Sequence, residues 1–454
     1  MSDKKANKTN TLKAIMENIT TIHGTLNVNC KVSDVPFPAV SICNFNIISL
    51  KATKRIEQLL LKNNRSQSEI NSFFSDLAYL TNYDIDSTRV GHYKEIMDIL
   101  KYHYFTVNTI MEELHQKCEN LAVYCMFNTI EKNCSDMFSL VKTVDGYCCG
   151  FNYGMPNDGS KDNLLQSGDN IEYFEEQSDD KSTNLRILAT PKAGRTSGIY
   201  VVFNLEPEDY PSWAYVPYVG ANIILSDPSD FPETTILSKF VSSGESLDFN
   251  LEPLIFQIDP RIRDVQVSKR NCLFHDELHL ENSNKYSFET CSTECRVHTL
   301  LKYCGCVPYK YPKKASQRAC EFEDLACLIN VTTHVSVNPM SCNPQCFVEC
   351  NDKLYTMKSK SVPFVPEMVP ENIIAGHNVS QLTSLRVYYG RPICNCYKLV
   401  YLIDTNYIIA TFGGVFSLSF GGSILTLIEL AYLLISALLI LLLRICRKYF
   451  GNIN

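Results

Sequence analysis

"FSLSFGGSILTLIELAYLL", Phe416 to Leu434, decides what kind of chain this is. The run is apolar enough to cross a bilayer, yet it carries a carboxylate, Glu429, a few residues after a Gly-Gly-Ser, Gly421 to Ser423. A carboxylate at membrane depth costs about 2.5–3.5 kcal/mol on insertion scales, so it marks a function or a partner. The run is part of a longer one, since the 32 residues from Phe412 to Leu443 have Glu429 as their only charge. A straight helix of that length spans roughly 48 Å at ~1.5 Å per residue, against about 30 Å of hydrocarbon. The segment must tilt or break, and Gly413-Gly414 and Gly421-Gly422 are the natural break points because glycine tolerates non-helical dihedrals. The flank "RICRKYF" holds Arg444, Arg447 and Lys448 without an acid, which places the C-terminus in the cytosol and the body before Phe412 outside.

Working outward, the body fits an exported domain. The chain has 20 cysteines among 454 residues, ten of them between Cys272 and Cys350, a density that points to disulfides and an oxidising compartment. Glycosylation sequons at Asn64, Asn133, Asn330 and Asn378 agree. The balance of 42 basic and 49 acidic residues leaves no basic footprint, so nucleic acid is excluded as a partner. Residues 1–36 are polar and hold neither a signal peptide nor a membrane helix, in conflict with an exported body. "VPFPAVSICNFNIISL" opens the folded region with a β-rich run, and residues 55–117 space apolar side chains three and four apart, as helices do. "SGIYVVFNL", "YVGANIILS" and "LEPLIFQI" read as strands of a central sheet, and the acidic, Ser- and Gly-rich stretch 157–184 as an exposed loop.

Catalytic chemistry finds little footing. In "HDELH", His275 to His279, two histidines stand four apart, but Glu277 lies about 200° around a helix from His275 at ~100° per residue, so a zinc-protease arrangement fails. The segment reads instead as a solvated charged stretch. The cysteine block lacks the C-x2-C spacing and histidine complements of zinc sites, which favours disulfides over metal. No nucleophile elbow or phosphate loop is present. Neither an enzyme nor a resident cofactor or metal is expected. Glu429 keeps two readings: it faces a water-filled path and attracts cations, or it hydrogen-bonds neighbouring helices in assembly.

Three motifs in order, "FPAVSICN" (Phe37 to Asn44), "CGCVPYKYP" (Cys304 to Pro312) and "GGVFSLSFGGSILTLIE" (Gly413 to Glu429), resemble the degenerin and epithelial sodium channel family, in its insect pickpocket branch. The likeness runs from about His23 to Tyr432. It implies an α+β, disulfide-rich extracellular domain of palm, β-ball, finger, thumb and knuckle type, plus one C-terminal transmembrane helix. The implied function is a subunit of a trimeric, amiloride-sensitive, sodium-selective cation channel of the plasma membrane, homomeric or built with related subunits, with Na+ as permeant ion. An extracellular ligand and the gating stimulus stay open. By the same resemblance Gly421, Gly422 and Ser423 match the selectivity filter, Glu429 supplies a pore carboxylate, and His23, Gly24 and Ala410 match gating positions. Ser417 stands where the family usually has glycine.

The resemblance divides the chain into a cytoplasmic-type tail with a His-Gly motif (1–24), a junction (25–36), the extracellular domain (37–411), a pore-lining helix (412–443) and a cytoplasmic tail (444–454). Only "TLNVNCKVSDVP" separates Gly24 from Phe37, too short and polar to span a bilayer, so the first membrane helix of the family reads as missing. The alternative function is therefore a non-conducting, truncated subunit acting on full-length partners. The chain as written is expected to give little or no current alone, and sodium current once a first helix is restored. Resemblance and spacing together pair Cys43 with Cys148, Cys125 with Cys134, Cys272 with Cys350, Cys291 with Cys346, Cys295 with Cys342, Cys304 with Cys327 and Cys306 with Cys320. Cys118 and Cys149 form an eighth candidate pair, and Cys446, beside cytosolic basic residues, a free or palmitoylated thiol.

Overall fold

The computed structural model describes residues 22–78, 92–154, 173–175, 186–213, 216, 218–233, 237–283, 285–334, 342–366, 369–401 and 405–450. The N-terminal tail up to residue 21 and nearly all of the expected loop 157–184 lie outside them. The chain forms two compact units, one built on Leu26–Ile258 and Arg263–Tyr397, the other holding the C-terminal helices.

The first unit is α+β. The larger sheet, of which residues 22–25 and 398–401 are assigned to the second unit, orders the strands Ile22–Lys31, Ile393–Tyr401, Glu245–Ile258, Leu382–Tyr389, Ile199–Asn204, Ala122–Phe127 and Ile130–Lys132, with Asp352–Pro363 also paired to Glu245–Ile258. The long strand Glu245–Ile258 buries Leu247, Phe249 and Leu251 on one face, every second residue, as a half-buried strand must. It runs antiparallel to Asp352–Pro363, Leu247 facing Ser361, and parallel to Leu382–Tyr389, Leu247 facing Leu385. A second sheet orders Leu237–Ser242, Gly220–Ser226, Ala39–Asn44, Gly146–Phe151 and Phe138–Thr143. Gly220–Ser226 is buried on both faces, so its apolar residues Ile223, Ile224 and Leu225 follow one another rather than alternating with polar ones. The main core draws on both sheets and is rich in aromatics, with Phe37, Phe151, Phe203, Phe249 and Tyr389 fully buried. Gly198, at φ +90°, admits a close approach: a Cβ there would stand 2.2 Å from the Val387 carbonyl oxygen.

Helices of eight residues or more are numbered in chain order. α1 (Leu50–Lys62), α2 (Gln67–Ala78), α3 (Lys94–Tyr102) and α4 (Val107–Leu114) enclose their own apolar cluster. α1 begins at Ser49, which accepts from Ala52 N–H, and buries Thr53, Ile56 and Leu60 at helical spacing. α4 begins with a reciprocal Thr106–Thr109 capping box. α5 (Phe288–Cys304) starts at the Ser287 cap and stops at Gly305, φ +68°, and α6 (Leu325–His334) packs on it.

Nine disulfides join described residues. All seven expected pairs form, and so does Cys118–Cys149. The ninth, Cys30–Cys394, was not expected; it staples the strand Ile22–Lys31 to Ile393–Tyr401. The segment 25–36, expected as a junction, thus holds the end of a sheet strand and a 3-10 turn over Val32–Asp34. His23 and Gly24 lie in the same strand.

In the C-terminal unit the apolar run over 412–443, expected to tilt or break, breaks. The apolar run is two helices, α7 (Thr405–Phe420) and α8 (Ile424–Phe450), broken at Gly421-Gly422-Ser423. Gly413-Gly414, the other expected break point, stays helical. Leu425–Ile445, with mean hydropathy 2.5, is the stretch long and apolar enough to cross a membrane among the described residues.

Candidate ion pathway

The break is built by three local devices. Gly421, at φ +62°, takes the left-handed conformation that ends α7, and its N–H donates to the Ser417 carbonyl at 2.9 Å. Ser423 then starts α8: its Oγ accepts from Thr426 N–H at 3.4 Å while its own N–H donates to Thr426 Oγ1 at 3.3 Å. Between them Gly422 is buried, although Gly421 and Ser423 are exposed. At Gly421 the break therefore presents backbone without flanking bulk, and Ser423 Oγ, within 3.3 Å of Thr426 Oγ1, belongs to a hydroxyl pair.

Glu429 lies on α8, exposed, six residues beyond Ser423. At ~100° per residue the polar side chains between Leu425 and Leu443, namely Thr426, Glu429, Tyr432 and Ser436, fall within about 120° of arc. All the rest of that stretch is Leu, Ile or Ala. One polar stripe on an otherwise apolar spanning helix is what a water-lined path or a polar helix contact requires. Ala410 is exposed on α7. From Tyr407 to Ile445, the described side chains are exposed except those of Phe416 and Ser436, which are half-buried.

The remaining sequence-level candidates sit in the first unit. Asn64, Asn133, Asn330 and Asn378 are exposed, as glycan acceptors must be. The "HDELH" side chains do structural work: His275 Nδ1 donates to the Tyr286 carbonyl at 2.9 Å, and Asp276 receives a two-pronged contact from Arg263 at 2.7 and 2.9 Å. Glu277 accepts from Phe274 N–H and pairs with Arg270. Among the described residues one group has metal-ligand types within reach of each other, Cys306, Cys320 and Asp324, and both its sulfurs are spent in a disulfide.

A half-buried ionic cluster had no sequence signal. Asp227 and Asp230 follow strand Gly220–Ser226, Lys285 precedes α5, and Glu349, Asp352 and Lys353 straddle Cys350. Lys353 Nζ lies 3.0 Å from Asp227 Oδ2. Burial opposes the charge on Asp227, but Lys353 and Lys285 overcome it and hold the carboxyl well below its usual range. Burial, then the charge of Asp227, pushes Asp230 up, and burial with Asp352 pushes Glu349 up to about 7.

Residues 13–433 match the family model described as amiloride-sensitive sodium channel. The chain is 28% identical over 424 residues to pickpocket protein 28 of Drosophila melanogaster, covering 88% of this chain and 66% of that protein. It is 23% identical over 410 residues to the sodium channel protein Nach of Drosophila ananassae, covering 89% and 73%. To the epithelial sodium channel subunit beta of Canis lupus familiaris it is 22% identical over 353 residues, covering 71% and 48%. The chain thus spans about two thirds of the length of pickpocket protein 28.

Proposed function

Because the chain belongs to the amiloride-sensitive sodium channel family, a family of ion channels and not of enzymes, we propose that it is a subunit of a trimeric, amiloride-sensitive, sodium-selective channel of the plasma membrane. The observation that carries this reading is the break at Gly421-Gly422-Ser423, followed on α8 by one polar stripe that includes Glu429. Three copies around an axis would set backbone carbonyls and the Ser423–Thr426 hydroxyls against a partly dehydrated Na+, with no cofactor needed. Three Glu429 carboxylates deeper in the path would concentrate cations and repel anions. Ala410 and the pair His23-Gly24 would bear on gating, the pair through the strand Ile22–Lys31. Partners are related subunits and the bilayer. The experiment is current recording after expression alone and with a full-length related subunit. Amiloride-sensitive sodium current that a thiol reagent blocks in Ser423→Cys supports the reading; surface-delivered protein whose Ser423→Cys form is never blocked overturns it.

One observation favours a second reading. Ile22–Lys31 is a sheet strand, and the described residues hold a single helix of spanning length. A subunit of this form would need partners to close the pore, acting as a modifier or dominant-negative member of a mixed trimer. Current only on co-expression, or suppression of a partner's current, would support it.

A further inference from the structure

The two glycines of the break are needed for different reasons. A Cβ on Gly421 would meet nothing within 4 Å, so that position is set by its positive φ alone. A Cβ on Gly422 would stand 2.5 Å from Phe416 Cε1 and 3.3 Å from Cδ1 and Cζ, against ~3.5–4.0 Å for carbons in contact. Gly422 is therefore covered by the ring of Phe416, which reaches over it from the last turn and a half of α7. The exposure pattern agrees: Phe416 is half-buried between exposed Val415 and Ser417, and Gly422 is buried between exposed Gly421 and Ser423. Ser417, the next residue, also supplies the carbonyl that closes α7 on Gly421. No comparable lid exists at Gly413 or Gly414, where a Cβ would meet nothing within 4 Å.

We propose that Phe416 is a positioning residue of the filter and that Phe416 and Gly422 are a matched pair. The ring seats on the Gly422 backbone, limits its rotation, and so fixes where the carbonyls of Gly421 and Gly422 point; the aromatic fits only because residue 422 has no side chain. The inference rests on the filter reading above. It adds a residue that does not face the ion but sets discrimination among ions, since carbonyl direction decides how well the filter replaces a hydration shell.

The test uses the full chain co-expressed with a full-length related subunit, reading reversal potential in sodium against potassium together with surface biotinylation. Gly422→Ala and Phe416→Ala should each lower the Na+/K+ permeability ratio severalfold at unchanged surface level. Phe416→Met with Gly422→Ala, which trades the ring for a flexible chain that can make room for the methyl group, should restore most of the ratio. If Gly422→Ala fails to reach the surface, Phe416→Leu, which alters the ring but not the backbone, reads the same ratio. Unchanged ratios in the single variants, or a double variant no better than Gly422→Ala, would overturn the pairing. Ser423→Cys separates the two levels. Block by a thiol reagent with unchanged ratios sinks only the pairing, whereas no block at full surface level sinks the filter reading and the pairing with it.

Discussion

The cysteine-rich body and the C-terminal helices both carry large apolar surfaces, and they deal with them in opposite ways. In the body Phe37, Phe151, Phe203 and Phe249 are sealed from solvent, and nine disulfides tie the strands and helices around them. In α7 and α8 Leu418 is 94% exposed and Leu425 70% exposed, as are most of their neighbours to a lesser degree. At about 25 cal/mol per Å2 the body gains its stability from its own chain, while the helices, on the proposed reading, would draw theirs from lipid and other subunits. Shape in the helices is consequently set by local devices among the described residues, a left-handed glycine, a serine cap and a ring over a backbone. If this contrast is right, the body should respond to changes in packing and covalent ties, and the helices to changes at the break and along the stripe.

The largest effect belongs to the ties. Replacing Cys291, Cys346, Cys295 and Cys342 by Ser opens two bridges that close 55 and 47 residues, each worth about 2–4 kcal/mol. Together that rivals the ~5–15 kcal/mol stability of a whole domain. Surface delivery of the full chain, followed by biotinylation, should be lost. Normal delivery with an unchanged melting temperature would break the covalent side of the contrast. Next comes Phe37→Ala, where the ring lies 5.6 Å from Phe127 and Tyr389 and 6.2 Å from Phe151, centroid to centroid. The cavity should cost about 3–5 kcal/mol in denaturant unfolding. A loss under about 1 kcal/mol, the range of a tolerated volume-conserving swap, would mean the core is looser than its burial implies.

How much of this was legible depended on the reach of each signal. The strands Ile199–Asn204 and Gly220–Ser226 announced themselves through β-branched runs bounded by Gly, Pro and Asp, and the helices of residues 50–114 through local spacing. Seven disulfides were readable because resemblance supplied the pairing that cysteine spacing alone leaves open. Cys30–Cys394 was not, since Cys30 sat in a segment read against the expectation of a membrane helix, and its partner is 364 residues away. The break was narrowed to two glycine pairs but not to one. What separates them is the Ser423–Thr426 cap after the second pair; the first is followed by Val415, which cannot cap. The half-buried cluster of Asp227, Asp230, Glu349 and Asp352 was invisible because its members are contributed by segments more than a hundred residues apart, where each looks like an ordinary surface charge.

That cluster gives the third prediction. Glu349, lifted to about 7 by burial and by Asp352, keeps its proton in the folded body when the unfolded chain has lost it. Its contribution is complete below the unfolded value near 4.5 and is lost as pH rises toward 7, on the order of 3 kcal/mol at 1.36 kcal/mol per unit. Asp230, also raised, adds in the same direction. Asp227 is lowered, so its contribution is instead lost on acidification below the usual carboxylate range, outside this window. Melts of the wild type should therefore fall between about pH 4.5 and 7, and Glu349→Gln should flatten that slope. An identical slope in Glu349→Gln would assign the titration elsewhere.

The smallest effect on folding sharpens the contrast most. Glu429 is exposed on α8. Glu429→Gln keeps the shape of the side chain, removes its charge and exchanges one acceptor oxygen for an NH2 donor. The body's melt should then stay within about 0.5 kcal/mol of wild type, the range of surface substitutions that touch no packed feature. Surface delivery should hold as well, while single-channel conductance in a co-assembled channel falls, because a ring of carboxylates raises the local cation concentration only while it is charged. The opposite pattern, failed delivery with unchanged conductance among the channels that do reach the surface, would assign Glu429 to helix assembly. The polar stripe of Thr426, Glu429, Tyr432 and Ser436 would then be a seam between subunits rather than the wall of a path.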